Sequence, residues 1–337
     1  MNTISHILEH LSTGADLSAH QAKEVFDLFM AGEVSPVQAG AFLLGLRAKG
    51  ETADELSAAV EAALSHARLI TGLSGKRIDT CGTGGDATGN FNISTATAFV
   101  VAGAGVRVAK HGNRSVSSLC GSADVVEALG IRIDIPADAV ARCIDEVGIG
   151  FLYAPLLHDA MRFVVLARRE MKIRTVFNLL GPICNPARAT AQVLGVYNED
   201  LTEVMAQVLC ELGTERAFVV HGSDGLDEIT ITGESKISEV RDGEVRTYYV
   251  TPEDFGIARA PISAIQGGDA KENAVIIHEI LSNRGGPRQN VVLLNAAAGL
   301  VVGGKASGLR EGIQLARESI ASGRALSCLE RLIELTR

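Results

Sequence analysis

The chain has 337 residues, of which 47% are hydrophobic, a length and apolar content that predict a sizeable core divided between two domains. A formal net charge of −9 and an isoelectric point near 5.4 argue against a general nucleic-acid or membrane-surface role. Six cysteines without C-x-x-C spacing read as reduced thiols of a cytoplasmic protein, and no signal peptide or apolar run of ~18 residues is visible.

Residues 1–72 read as a small all-helical domain. Ser18 with Gln21, Ser35 with Gln38 and Thr52 with Glu55 are evenly spaced capping-box signatures, and Pro36 suits a first helical position. Gly32 and Gly50 mark tight turns between the helices. Val37, Ala41 and Leu44 form an apolar stripe widened by Phe42, Leu43 and Leu46. Such a stripe fits either plain core or a homodimer interface; the homodimer is the expectation carried forward.

Residues 73–337 read as a larger α/β domain with a mostly parallel central sheet, because short apolar strands alternate with helices. Strands are predicted at 77–80, 106–109, 193–197 and 218–221, and helices at 123–129 and 136–147. A basic helix over 161–173 interrupts the alternation. Asp242-Gly243 is the turn of an antiparallel hairpin within 229–250. From 270 onward the chain is Ala/Leu-rich and predicted helical, and reads as packing.

The densest functional signal lies in residues 79–122. Gly82-Thr83-Gly84-Gly85-Asp86 is a turn whose backbone N–H groups can converge on an anion. Ser94 and Thr95 open an Ala-rich helix, where unpaired N–H groups and the positive dipole end favour phosphate. A loop read as cationic follows, Lys110-His111-Gly112-Asn113-Arg114, with Ser115, Ser117 and Ser118 behind it; Arg114 suits bidentate phosphate binding. Two better-known phosphate motifs fail. Ala87 takes the third glycine position of G-x-G-x-x-G, and Gly299 to Lys305 lacks the following Ser/Thr because Ala306 stands there. Further on, Asp224, Asp227 and Glu228 share one turn, which is either an acidic surface turn or a partial Mg²⁺ site that substrate phosphates complete.

GTGGD, FNIST and KHGNRSVSS followed by GSADVVEALG resemble the anthranilate phosphoribosyltransferase family, as do GIGFLYAPLLHDAMR, RRE-x₃-RTVFNLLGPICNP and VVHGSDGLDEI. The blocks span most of the chain and depart from the family's usual wording at Ala87, Asn90 and Leu119-Cys120, all at loop edges. The resemblance implies transfer of the phosphoribosyl group of phosphoribosyl pyrophosphate to the amine of anthranilate, as a step of tryptophan biosynthesis. It implies that part of 155–190 returns to the N-terminal helices. It implies two Mg²⁺ per subunit, one on Asp227 and Glu228 and a second reached by Ser94. Phosphoribosyl pyrophosphate would meet Gly82, Gly85, Asp86, Asn90, Asn92, Ile93, Ser94, Thr95, Lys110, His111, Gly112, Asn113, Arg114, Ser115, Val116, Ser117, Ser118 and Ser122. Anthranilate would meet Gly82, Asn113, His158, Arg168, Gly181 and Pro182. The aromatic amine needs no strong base; His111 and His158 are candidates beside it, or else structural histidines. For Arg168 the rival is a surface ion pair with Glu170 or Asp159. Two other functions compete: a pyrimidine-nucleoside phosphorylase-like enzyme, and a non-catalytic relative that binds nucleic acid. No nucleic-acid or membrane partner is expected.

Overall fold

The computed structural model describes residues 3–85, 89–115 and 119–337. Four helices come first: α1 (Thr3–Ser12), α2 (Ala19–Ala31), α3 (Pro36–Lys49) and α4 (Ala53–Ser65). All three predicted capping boxes form, with Ser18, Ser35 and Thr52 each accepting from the backbone N–H three residues on. Glu55 does more than cap. It is fully buried, and it accepts from the Leu17 N–H at 2.8 Å and from Lys49 Nζ at 2.7 Å, so one carboxylate ties α4 to the loop before α2. These donors offset the desolvation of its charge.

Next come β1 (Ile78–Gly82), α5 (Ile93–Gly103), β2 (Val108–Gly112), α6 (Ser122–Ala128), α7 (Ala137–Glu146), β3 (Ile149–Tyr153), α8 (Ala154–Leu157), α9 (Arg162–Met171), α10 (Val176–Ile183), β4 (Ala191–Gly195), α11 (Leu201–Glu211) and β5 (Arg216–Gly222). The hairpin β6 (Ser235–Arg241) and β7 (Glu244–Val250) follows, then α12 (Ala270–Leu281), α13 (Pro287–Val302), α14 (Leu309–Ala321) and α15 (Arg324–Leu335). The seven strands form one sheet in the order β3-β2-β1-β4-β5-β6-β7, parallel from β3 to β5 and antiparallel through the hairpin. Asp242 and Gly243 both have positive φ (54° and 79°), as the turn between twisted strands requires. The sequence reading contains no strand at β3, where Gly150 interrupts the apolar run.

Helices cover both faces, and alternation along the strands assigns them. Val193, Phe218 and Val220 join the core with α5, α13, α14 and α15; Leu194, Ala217 and Val219 join the core with α11 and the N-terminal helices. α9 and α10 return to that second core. Phe177 of α10 stands edge-on to Phe26 and Phe29 of α2, at 6.1 and 6.3 Å between ring centres. The molecule is therefore a small helical domain set against a larger α/β domain. Val37 and Leu44 of α3 and Val165 and Leu166 of α9 stay exposed. Phe42, Leu43 and Leu46, placed on the same stripe by the sequence, are core. Gly299 lies inside α13, packed on α5, so the G-x-x-x-x-G-K run is helix rather than phosphate loop. Among the described residues no helix is long and apolar enough to cross a membrane.

Candidate active site

After β1 the chain moves to β2 on one side, and much later enters β4 on the other. Open α/β sheets form their crevice at such a point, beyond the carboxyl ends of the strands. β1, β2, β4 and β5 all end there on glycine: Gly82, Gly112, Gly195 and Gly222. The acidic turn lies directly on two of them. A Cβ on Gly82 would strike the Asp227 carboxylate, and one on Gly195 would strike the Asp227 carbonyl. The Gly84 N–H donates to Asp227 Oδ2 at 2.8 Å from a residue with φ of 64°. Leu226 and Ile229 are fully buried on either side of Asp227 and Glu228. Asn295 of α13 grips Ile229 at both ends, accepting its N–H and donating to its carbonyl, each at 2.9 Å. Asp224, the third carboxylate, is taken by the Thr230 and Thr232 hydroxyls at 2.6 Å each. It builds the turn; Asp227 meets the Gly-rich turn through the Gly84 N–H, and Glu228 beside it is buried.

Ser94 and Thr95 occupy the first turn of α5, as the sequence predicts, with Asn92 before them at the cap. The Asn92 side chain is spent on structure, donating to the Cys120 carbonyl at 3.3 Å and accepting from Asn273 at 3.0 Å. Asn90 pairs with Gln266 in an isolated bridge. Lys110 and His111 lie within β2, and this corrects the cationic-loop reading. Lys110 is 2% exposed; its ammonium donates to the Thr80 carbonyl at 2.6 Å and Ser94 Oγ at 3.3 Å. Burial pulls its pKa down, offset in part by Asp79, Glu228 and Asp227. The charge thus acts from behind the α5 N-terminus. His111 is no cation at all: burial, and next the neighbouring His158, bring its pKa down to about 3. Its Nδ1 meets the Gly181 carbonyl at 3.1 Å, which fixes the proton on Nδ1. The two rings are 5.2 Å apart, His158 is also lowered by burial, and among the described residues His111 Nε2 has no hydrogen-bond partner.

Beyond β2, the Ser122 hydroxyl holds the Asn113 backbone, and the Asn113 side chain accepts the Arg114 N–H at 2.7 Å. The Ser115 N–H reaches Asp124 Oδ2 at 3.2 Å. The Arg114 guanidinium meets Asp124 at 2.9 Å and Glu127 at 2.6 Å, so phosphate has to share it with two carboxylates. Asp86, Val116, Ser117 and Ser118 lie outside the described residues, as does Ala87.

Arg168 lies in the last turn of α9. Its guanidinium lies 5.6 Å from the centre of the Phe177 ring, and burial lowers its pKa. The rival ion pair does not form: Asp159 binds Arg68 at 2.5 Å, and among the described residues no carboxylate pairs with Arg168. Gly181 is exposed and Pro182 buried at the end of α10. Four residues here escaped the sequence reading. Asn295 sits in an Ala-rich helix taken as packing, where a lone Asn was the available signal. Arg174 donates to the Gly85 carbonyl and lies 3.9 Å over the Tyr197 ring. Asp79 and Asn185, both buried, bond to each other at 2.7 Å. A charged residue inside a parallel strand was the signal for Asp79.

Backbone donors, a helix N-terminus and a buried ammonium thus face a pair of carboxylates, an arrangement that suits a phosphorylated substrate bridged by metal. Among the described residues no group of three or more His, Cys, Asp and Glu side chains could hold a metal alone, so water and phosphate oxygens would complete the shell of an ion held there. The class is that of a glycosyl transferase: "Glycosyl transferase family, helical bundle domain" matches residues 5–67, and "Glycosyl transferase family, a/b domain" matches 74–326. The chain is 54% identical to the anthranilate phosphoribosyltransferase of Symbiobacterium thermophilum, over 98% of this chain and 97% of that one. The crystal structure of the Thermus thermophilus anthranilate phosphoribosyltransferase superposes with a TM-score of 0.93 at 43% identity over 100% of both chains. The Saccharomyces cerevisiae enzyme in complex with PRPP and Mg gives 0.91 at 28% identity, over 99% of this chain and 98% of that one. The chain belongs to the anthranilate phosphoribosyltransferase family.

The neutral His111 has a consequence for stability. An unfolded histidine takes a proton below about 6.5, whereas the folded ring refuses it until about 3. This contribution is fully present above 6.5 and is lost as pH falls through that window. Asp79, raised to about 6 by burial, acts in the opposite direction and is untouched by a change at the His111 ring. His111→Asn is therefore expected to lose less stability than the wild type between pH 6.5 and 4. Parallel losses in urea titrations would contradict this.

Proposed function

We propose that this protein transfers the phosphoribosyl group of phosphoribosyl pyrophosphate to the amine of anthranilate, releasing pyrophosphate. The observation that carries the reading is Arg168, a half-buried guanidinium without a carboxylate partner among the described residues, in a chain whose strand ends form an anion cradle. A carboxylate-bearing aromatic acceptor satisfies it. The diphosphate lies against Gly82, Gly84 and Gly85 and the α5 N-terminus at Ser94 and Thr95, with Lys110 behind and the Asn113–Ser115 turn alongside. Asn113, His158, Gly181 and Pro182 border the acceptor. The C–O bond from the anomeric carbon to pyrophosphate breaks and a C–N bond to the aromatic amine forms, the amine's proton passing to solvent. His111, neutral with its proton on Nδ1, lies with His158 beside Gly181 on the acceptor side.

Asp227 and Glu228 would hold one Mg²⁺ and Ser94 a second; adjacent carboxylates on a fixed turn, too few to cage a metal, fit that duty. When bound, Mg²⁺ neutralises charge gathering on the leaving diphosphate. Residues 1–72 with part of 155–190 form the helical unit, and 73–337 the unit that binds phosphoribosyl pyrophosphate. Free thiols at all six cysteines accord with a cytoplasmic location.

Arg168→Ala is expected to raise the anthranilate KM roughly 10- to 150-fold, the loss of a charged hydrogen bond. The KM for phosphoribosyl pyrophosphate should stay within about twofold. Both are read from loss of anthranilate fluorescence with Mg²⁺ present. Full turnover in EDTA, or reaction of uridine and phosphate in place of anthranilate, overturns the assignment.

Replacing Asp227 and Glu228 together with Ala should cut kcat by at least ~100-fold, since metal charge stabilisation is greatest in the transition state. The Mg²⁺ requirement should climb, with binding of phosphoribosyl pyrophosphate weakened less. An unchanged kcat at saturating Mg²⁺ would make these carboxylates a surface turn.

The exposed Val37, Leu44, Val165 and Leu166 lie on the paired helices α3 and α9 and support a homodimer through the helical domain. Light scattering at micromolar concentration should give twice the chain mass, and Leu44→Glu should halve it. A monomeric wild type contradicts the proposal.

A further inference from the structure

Asp79 is the second residue of β1, in the middle of the parallel sheet, and is completely buried. Positions of this kind are ordinarily apolar, because a carboxylate there loses its hydration. Both of its oxygens are engaged. Oδ1 accepts the His111 N–H of β2 at 3.2 Å, and Oδ2 accepts the Asn185 amide at 2.7 Å. Asn185 also donates to the Ala109 carbonyl at 2.8 Å and accepts the Ala187 N–H at 2.9 Å. The segment after α10 is thereby bolted to β1 and β2 through one side-chain pair. Two more bonds fasten the same segment: Gln192 donates to the Pro182 carbonyl at 2.8 Å, and His111 Nδ1 meets the Gly181 carbonyl at 3.1 Å. α10 itself packs on α3 and α4, elements of the helical domain. Beside the apolar contacts of Leu180 and Ile183 in the second core, these polar contacts join its last turn and the residues after it to β1, β2 and β4, and Asp79 is where the β2 and Asn185 branches meet.

We infer that Asp79 and Asn185 are positioning residues for the transfer reaction: their bond sets where Gly181 and Pro182, the ring wall of the acceptor pocket, stand relative to the strand ends that hold the diphosphate. The inference rests on the reading of Gly181 and Pro182 as that wall. An apolar side chain at 79 would fill the sheet equally well, yet would leave the buried His111 N–H without its acceptor and the Asn185 amide with one fewer. The role is therefore one of placement, and its signature is a split between the two substrates.

The test compares steady-state KM values for both substrates in Asp79→Asn, Asn185→Ser, the double variant and Arg168→Ala, with thermal unfolding alongside. Asp79→Asn and Asn185→Ser are each expected to raise the anthranilate KM about tenfold, and Asn185→Ser, which leaves the charges of Asp79 and Lys110 in place, should keep the phosphoribosyl pyrophosphate KM within about twofold. The double variant should be no worse than the worse single one, since both changes break the same bond. Should Asp79→Asn fail to fold, Asn185→Ser, outside the sheet, carries the same measurement. Equal rises in both KM values, or a lowered Tm with neither KM moved, overturn the positioning role. If Arg168→Ala moves the anthranilate KM while Asp79→Asn and Asn185→Ser do not, the positioning role falls and the acceptor site stands; if none of these variants moves it, both readings fall.

Discussion

Two parallel strands, β1 and β4, end side by side on glycine, and the backbone and carboxylate of Asp227 lie on them where side chains would otherwise be. This close approach brings the acidic turn down to the Gly-rich turn, so that the Gly84 N–H reaches Asp227 Oδ2. Asn295 secures the arrangement from below by taking both backbone groups of Ile229. Glycine at both strand ends is the requirement, because even a methyl group at either would lift the turn away from the crevice.

A protein of net charge −9 has to bind an anion with charge it keeps close. It does so with few exposed cations. Lys110 lies inside the sheet, on a strand paired on both sides and bonded to Thr80 and Ser94, where water and salt screen it weakly. Arg114 is bound to Asp124 and Glu127, which orders the turn that displays Asn113 and Ser115. Fixed dipoles of the α5 N-terminus and the glycine amides supply the remainder, and they need no reorganisation when charge develops.

The acceptor side that we propose is built from the other domain. α9 and α10 belong to the helical-domain core around Phe26 and Phe177, yet α10 carries Gly181 and Pro182 to β2 and β4. A domain boundary runs through the crevice itself. The polar bonds that cross it, at Asp79, Gln192 and Arg174, therefore matter more for geometry than for burial.

The sequence by itself determined the elements that local chemistry specifies. Caps at Ser18, Ser35 and Thr52, the hairpin turn at Asp242-Gly243, the helix start at Ser94 and the glycine turn at 82–85 each depend on neighbours within a few residues, so their spacing is enough. β3 escaped because one glycine breaks a short apolar run. What only tertiary structure decided is which polar residue faces which partner. Lys110 and His111 read as loop cations because their neighbours are polar; pairing of β2 with β1 and β3 buries them, and burial changes a cation into a buried ammonium and a neutral ring. Asp224, Asp227 and Glu228 look alike in sequence, and only the hydroxyls of Thr230 and Thr232 separate the structural carboxylate from the other two. Asp79 and Asn185 are far apart along the chain and meet only because the strand order sets the end of α10 over β1, and a contact made by topology leaves no spacing to read.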